Sequence, residues 1–179
     1  MKIISGGQTG VDRAALDVAL EAGIPYGGWC PRGGWAEDAP CPPGVLTRYP
    51  LLRETPLADP AQRTEWNVRD AEATLILVMG GAVSKGTALA EGLARRYGKP
   101  SLMLDLGEAG AIEHAIAWLR SDHVCRSGSE LVLGIGGPRE SEMPGIYRAA
   151  RSFLATVLPQ IQGAGQGGQG AAPAPNGRE

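Results

Sequence analysis

Apolar residues fall along this chain in two alternating patterns. Short unbroken runs occur at "KIIS" (2–5), "TLILVM" (74–79), "SLMLDL" (101–106) and "ELVLGIG" (130–136). They are too short for helices and show no polar alternation, as expected of strands covered on both faces. Between them, apolar positions recur at spacings of three and four: Val11, Ala14, Ala15, Val18, Ala19 and Ala22, then Ile112, Ile116 and Leu119, then Ile146, Ala150, Phe153, Leu154 and Val157. These predict helices. Residues 60–72 read as another helix with Pro60 in its first turn, and a further one ends near Tyr97. Gly23 with Pro25, and Gly98 with Pro100, close two of the helices. "YGGWC" (26–30) reads as a strand weakened by its glycines, and "VLTRY" (45–49) as a short one. Strand, turn and helix therefore repeat about five times, which predicts an α/β fold: a Rossmann-like, doubly wound, mostly parallel sheet with helices on both faces. The expected domain spans residues 1–160. The Gly-, Gln- and Pro-rich segment 161–179 carries almost no apolar bulk and reads as a disordered tail.

Open parallel sheets bind ligands beyond the carboxyl ends of their strands. Three glycine-rich turns fall at such ends, each ahead of a helix: 5–13, 80–87 and 136–141. Helix N-termini offer unpaired N–H groups and partial positive charge, which suits phosphate. The candidate binding residues are Gly6, Gly7, Gln8, Thr9, Gly10, Asp12 and Arg13 in the first turn. Gly80, Gly81, Ser84, Lys85, Gly86 and Thr87 supply the second, and Gly137, Pro138, Arg139, Glu140 and Ser141 the third. Neither "GGQTG" nor "GGAVSKGT" is a dinucleotide fingerprint or a P-loop; what carries weight is three such turns at one sheet edge. Trp29, Trp35 and Trp66 offer flat surfaces for a heterocycle, or for ordinary packing. Residues 31–44, with Arg32, Trp35 and Glu37, have the composition of a lid over the ligand or of a solvated connection, and Arg32 is a further candidate binding residue, able to close over a phosphate with Lys85.

Composition narrows the partners. At 179 residues and 43% hydrophobic, the chain can bury one normal core, and its net charge of −2 argues against nucleic acid as a partner. No run of about 18 apolar residues is present, so no membrane span is expected. The absence of a leader pattern reads as cytoplasmic. Cys30, Cys41 and Cys125 form neither a paired framework nor a CxxC motif and read as reduced, partly buried thiols. His114 and His123 are too few for a metal centre, and no metal ligands are expected.

Five segments in order, "SGGQTGVDRAALDVALEAG", "PRG", "RTEWNVRDAEATLIL", "GTALAEGLARRYGKP" and "GPRESEMPGIY", resemble the molybdenum cofactor carrier protein family. That family is also described as the circularly permuted YpsA-like branch of the SLOG superfamily, and the resemblance covers about residues 2–158. It implies a permuted relation to the LOG-type proteins, because "LVLGIGGPRESEMPGIYRAARSFL", similar to the LOG-type N-terminal segment, lies here at the C-terminal end. It further implies a carrier for molybdenum cofactor (molybdopterin) or a related pterin or nucleotide, with molybdoenzyme maturation partners and a homo-oligomeric state, dimer or tetramer. LOG-type relatives instead cleave the N-glycosidic bond of nucleoside monophosphates with an Arg and a Glu. Arg63 looks like that Arg. The Glu position, three after the Thr of the turn, is Ala90, and Glu91 stands one residue on, about 100° around the helix. A carrier needs binding without turnover, which fits the displaced carboxylate. A phosphoribohydrolase using Arg63 and Glu91 is the alternative enzyme, and a nucleotide-derivative sensor is a third reading.

Overall fold

The computed structural model describes residues 1–81, 83–125 and 130–164. Six strands and five helices follow in chain order: β1 (Lys2–Ile4), α1 (Val11–Glu21), β2 (Tyr26–Cys30), β3 (Leu52–Glu54), α2 (Pro60–Asp70), β4 (Ala73–Val78), α3 (Lys85–Arg96), β5 (Ser101–Asp105), α4 (Ala111–Leu119), β6 (Val132–Gly136) and α5 (Ile146–Ala164). The strands form one sheet in the order β3-β2-β1-β6-β4-β5, and every pairing is parallel. The α/β Rossmann-like architecture read from the sequence is the one the chain adopts. Counted from β6, the strands run outward as β6-β1-β2-β3 on one side and β4-β5 on the other. The order thus reverses between β6 and β4, and such a reversal opens a crevice at the carboxyl edge of the sheet.

Period-two alternation divides the central strands between the two faces of the sheet. Ile3, Leu75, Leu77, Leu133 and Ile135 belong to the main core with α1, α4 and α5. The opposite row presents Ile4, Thr74, Ile76, Gly134 and Gly136 toward α2 and α3. That second side has only a small core of Val68, Leu93 and Ala94 with Ala90 against it. Two glycines on β6 leave α2 and α3 with little to pack on, so a gap remains between helices and sheet.

"VLTRY" is not a strand. Gly44–Thr47 forms a short 3-10 turn, and the strand begins at Leu52. The reason is the burial pattern: Val45 and Tyr49 enter the core while Thr47 between them is exposed, which fits one helical turn and breaks the period of two that a strand would show. Helix α5 continues to Ala164, four residues beyond the expected domain boundary, and the rest of the expected tail, 165–179, lies outside the described residues. Of the thiols, Cys30 is buried, whereas Cys41 and Cys125 are exposed rather than partly buried. Among the described residues no helix is long and apolar enough to cross a membrane.

Candidate functional site

The gap between the sheet and α2 and α3 is a cleft of about 430 Å³ that opens at the carboxyl ends of β1, β6 and β4. A volume in this range suits a mononucleotide-sized ligand. Its mouth is polar and its interior apolar. Gly6, Gln8, Asp12, Ser84, Lys85, Gly86, Thr87, Gly137 and Arg139 all border it, so each of the three glycine-rich turns contributes. Deeper in, Ile4, Ile76, Val68 and Ala90 supply apolar surface, and Trp35 closes one side.

At the mouth, Asp12 is 3% exposed and accepts a 2.8 Å ion pair from Arg63 Nη1. Desolvation by burial pushes the Asp12 carboxyl up, against the pull of the Arg63 charge and of the Gln8 N–H, and burial wins. Gly6 makes the pair possible, because a Cβ there would overlap the Arg63 guanidinium and sit 2.8 Å from Asp12 Oδ2. Helix α3 starts at the same place. Ser84 caps it, its Oγ accepting the Thr87 N–H at 3.2 Å and lying 3.0 Å from Thr87 Oγ1. Gly86, with no side chain, leaves the first turn open to the cleft. Around the cleft the cations Arg63, Lys85 and Arg139 are matched by Asp12, Asp59 and Glu142. The formal charges around the cleft therefore balance, and the α3 terminus adds partial positive charge from its unpaired N–H groups.

Several predicted residues are placed elsewhere. Thr9 donates its hydroxyl to Glu37 and accepts the Glu140 N–H at 3.2 Å, and Ser141 also donates to Glu37. Arg13 makes a two-pronged pair with Asp38, both contacts 2.9 Å. Gln8 Oε1 accepts the N–H groups of Thr9 and Glu37, each at 3.0 Å. These side chains therefore latch the 31–44 segment across two of the turns, and that segment carries Trp35 to the cleft wall. Burial works to raise the Glu37 carboxyl, but hydrogen bonds from Ser141 and Thr9 with the Arg139 charge outweigh it and hold the group below the ordinary range. A Cβ on Gly10 would strike the Pro138 carbonyl, and Gly7 lies against Leu52 and Val45, so these glycines and Pro138 serve close packing. Gly80 and Gly81 donate to the Asp105 carboxylate. Glu140 accepts the N–H groups of Gly145 and Tyr147, filling the start of α5 with a carboxylate of the chain itself. Arg32 is exposed in the 3-10 turn Arg32–Gly34. Trp29 and Trp66 pack edge-to-face on each other, 4.6 Å between centroids, away from the cleft. Ala90 borders the cleft, while Glu91 pairs with Arg95 along the helix at 3.5 Å.

The sequence reading did not single out Ser5, Asn67, Thr74, Gly134, Gly136 or Glu142, all of which border the cleft. The signal for two of them was present: in "VLGIG" the glycines recur with period two, so they share one face of the strand.

A parallel α/β sheet whose strand order reverses at a ligand-sized cleft defines a Rossmann-like domain. The chain belongs to the circularly permuted YpsA SLOG family, whose model matches residues 3–158. It is similar to a crystal structure of a proposed molybdenum carrier protein from Syntrophus aciditrophicus, with 44% identity over 88% of this chain and 94% of that one and a TM-score of 0.75. No curated protein matches it.

Proposed function

We propose that this protein binds and carries a phosphate-bearing heterocycle, with molybdenum cofactor as the first candidate and a related pterin or nucleotide as the second. The carrying observation is the cleft itself. A polar mouth at the start of α3 continues into an apolar interior, within a cleft of about 430 Å³. Phosphate would sit against the open first turn of α3 with Lys85 beside it, and the ring would lie inside. The likeness to a proposed molybdenum carrier supports the choice of cofactor. Among the described residues no group of three His, Cys, Asp or Glu side chains is placed to hold a metal ion, so the contacts proposed are to the organic part. Native mass spectrometry of protein purified without oxygen, with parallel metal analysis, tests this: near-stoichiometric pterin and molybdenum are expected. Protein that comes empty, and stays empty when offered molybdopterin, overturns it. The same spectra report whether the chain self-associates as a dimer or tetramer.

A second reading rests on the buried Asp12–Arg63 pair. A carboxyl pushed upward by burial in a cleft is suited to acid–base work, and in this chain it is Asp12, not Glu91, that meets Arg63. Cleavage of AMP to adenine and ribose 5-phosphate, lost in Asp12→Asn, would replace the carrier reading with a hydrolytic one.

A further inference from the structure

We infer that the floor of the cleft, formed by Gly134, Gly136 and Thr74, is a recognition site for the polar edge of a flat nitrogen heterocycle. The inference rests on the proposed ligand class and adds which residues read the ring.

Three observations converge. Thr74 is 4% exposed, and its Oγ1 is buried without a hydrogen-bond partner while bordering the cleft. A buried unpaired hydroxyl is costly, and valine would fill the same space without that cost. The register places Gly134 between Ile4 of β1 and Thr74 of β4, in one row across three strands. The missing side chain at 134 therefore leaves a notch between the Ala71 methyl and the Thr74 hydroxyl, and a Cβ there would come 3.0 Å from Ala71 Cβ and 3.4 Å from the Thr74 oxygen. Gly136 extends the bare strip by two residues toward the mouth. Its backbone is outside the positive-φ region, and a methyl would meet Asp12 Oδ1 at 3.4 Å and nothing else within 4 Å. At 136, unlike at 134 where Ala71 stands close, neither backbone conformation nor packing thus calls for glycine, which weakens a strand interior. What the missing side chain provides is room in the cleft.

Apolar walls at Ile76 and Val68 suit the faces of a ring. The Thr74 hydroxyl, donor and acceptor at once, then pairs with a ring nitrogen or an exocyclic oxygen or amine at the inner edge. The anion stays at the mouth, so ring and phosphate are read by separate sets of residues.

The test is calorimetric titration of the whole chain with neopterin 3′-monophosphate and GMP, which carry a ring, and with ribose 5-phosphate, which lacks one. Thr74→Val is expected to weaken the two ring-bearing probes about tenfold, the scale of one buried hydrogen bond. Thr74→Ser should stay near wild type, and Gly136→Ala should weaken both by tenfold or more. Ribose 5-phosphate should bind all four proteins alike. Thr74→Val should also melt no lower than wild type, since it removes an unpaired polar group. Loss of ring affinity without loss of stability separates recognition from scaffolding. If Thr74→Val and Gly136→Ala leave ring-bearing probes within twofold of wild type, or weaken ribose 5-phosphate equally, the floor inference falls while the carrier reading stands. If wild type binds none of the three probes, nor molybdopterin, the carrier reading falls and takes the inference with it.

Discussion

Replacing Arg63 by methionine tests the central feature of the cleft mouth. The change keeps much of the side-chain volume and removes the charge that faces Asp12. Asp12 is 3% exposed, and the ion pair is 2.8 Å long. Removing one partner of a buried pair costs about 3–5 kcal/mol. The Arg63 side chain retains 18% exposure, so water reaches one side of the pair and the lower end, about 3 kcal/mol, is expected. With a urea dependence of about 2 kcal/mol per molar, that moves the unfolding midpoint down by about 1.5 M. The sign of the pH effect follows from the upward shift of Asp12. Between the ordinary carboxylate value and the higher folded value, the folded state binds more protons than the unfolded state. Its stability therefore falls as pH rises through that window. Without Arg63 the folded value climbs further and the window widens, so the variant should recover part of its loss on going from pH 7 to pH 5. Asp12→Asn in the Arg63→Met background should restore most of the stability, giving a coupling above about 1.5 kcal/mol. Urea unfolding followed by tryptophan fluorescence at the two pH values measures all of this. A loss below about 0.5 kcal/mol at pH 7, with no added pH slope and no coupling, would refute the view that this pair holds the mouth together.

Three further outcomes are expected. Hydrogen bonding to Arg13 holds the Asp38 carboxyl low, and Glu37 is also held low. Their contribution to the 31–44 latch is complete above about pH 4.5 and is lost as pH falls through their lowered values. Amide shifts of residues 35–41 followed by NMR should stay flat from pH 7 to about 4.5 and change only as pH falls further, and a transition centred above about pH 4.5 would contradict this. Burial pushes the Cys30 thiol up to about 11, whereas Cys41 and Cys125 are exposed, so a thiol reagent at pH 8 should label two sites at once and the third only on unfolding. Three fast sites would be the contrary result. Tyr147→Phe removes one of three donors to the buried Asp17 carboxylate, a 2.9 Å bond, and leaves Tyr49 and Arg48 at 2.6 and 2.7 Å. Stability should drop by about 1.5 kcal/mol in the same urea assay, and an unchanged midpoint would show the bond to be redundant.

The sheet was legible because its strands are buried on both faces and so read as unbroken apolar runs. "VLTRY" misled because a spacing of four between Val45 and Tyr49 suits a strand as well as a helical turn, and only the exposure of Thr47 between them tells the two apart. The three glycine turns were legible as neighbours at one edge. The work done by each side chain in them was not. Thr9, Arg13 and Ser141 look like anion contacts within their own motifs, but their partners Glu37 and Asp38 sit in a different segment, 25 to 104 residues away. Local pattern carries no record of such pairings. The Ala90/Glu91 offset, by contrast, follows from helix geometry alone, and the helix does turn Ala90 to the cleft. Thr74 was hidden because a single threonine does not interrupt an apolar run, and threonine is at home in strands.

The position of β6 bears on how the chain assembles. In the sheet, β1-β2-β3 and β4-β5 are two blocks that, among the described residues, are joined by strand pairing only through β6. The Ser5 hydroxyl bonds the Ile135 carbonyl across 130 positions of sequence. Contacts of such high order form late, and until they do each block keeps an open edge. The strand that must zip the blocks together is also the one with two glycines in five positions, and so with little side chain to favour the extended state. Clearing the floor for a ligand thus weakens the keystone of the fold. A ligand seated on β6 would bridge both blocks at once, so filling the cleft and completing the sheet become linked events for a newly made chain.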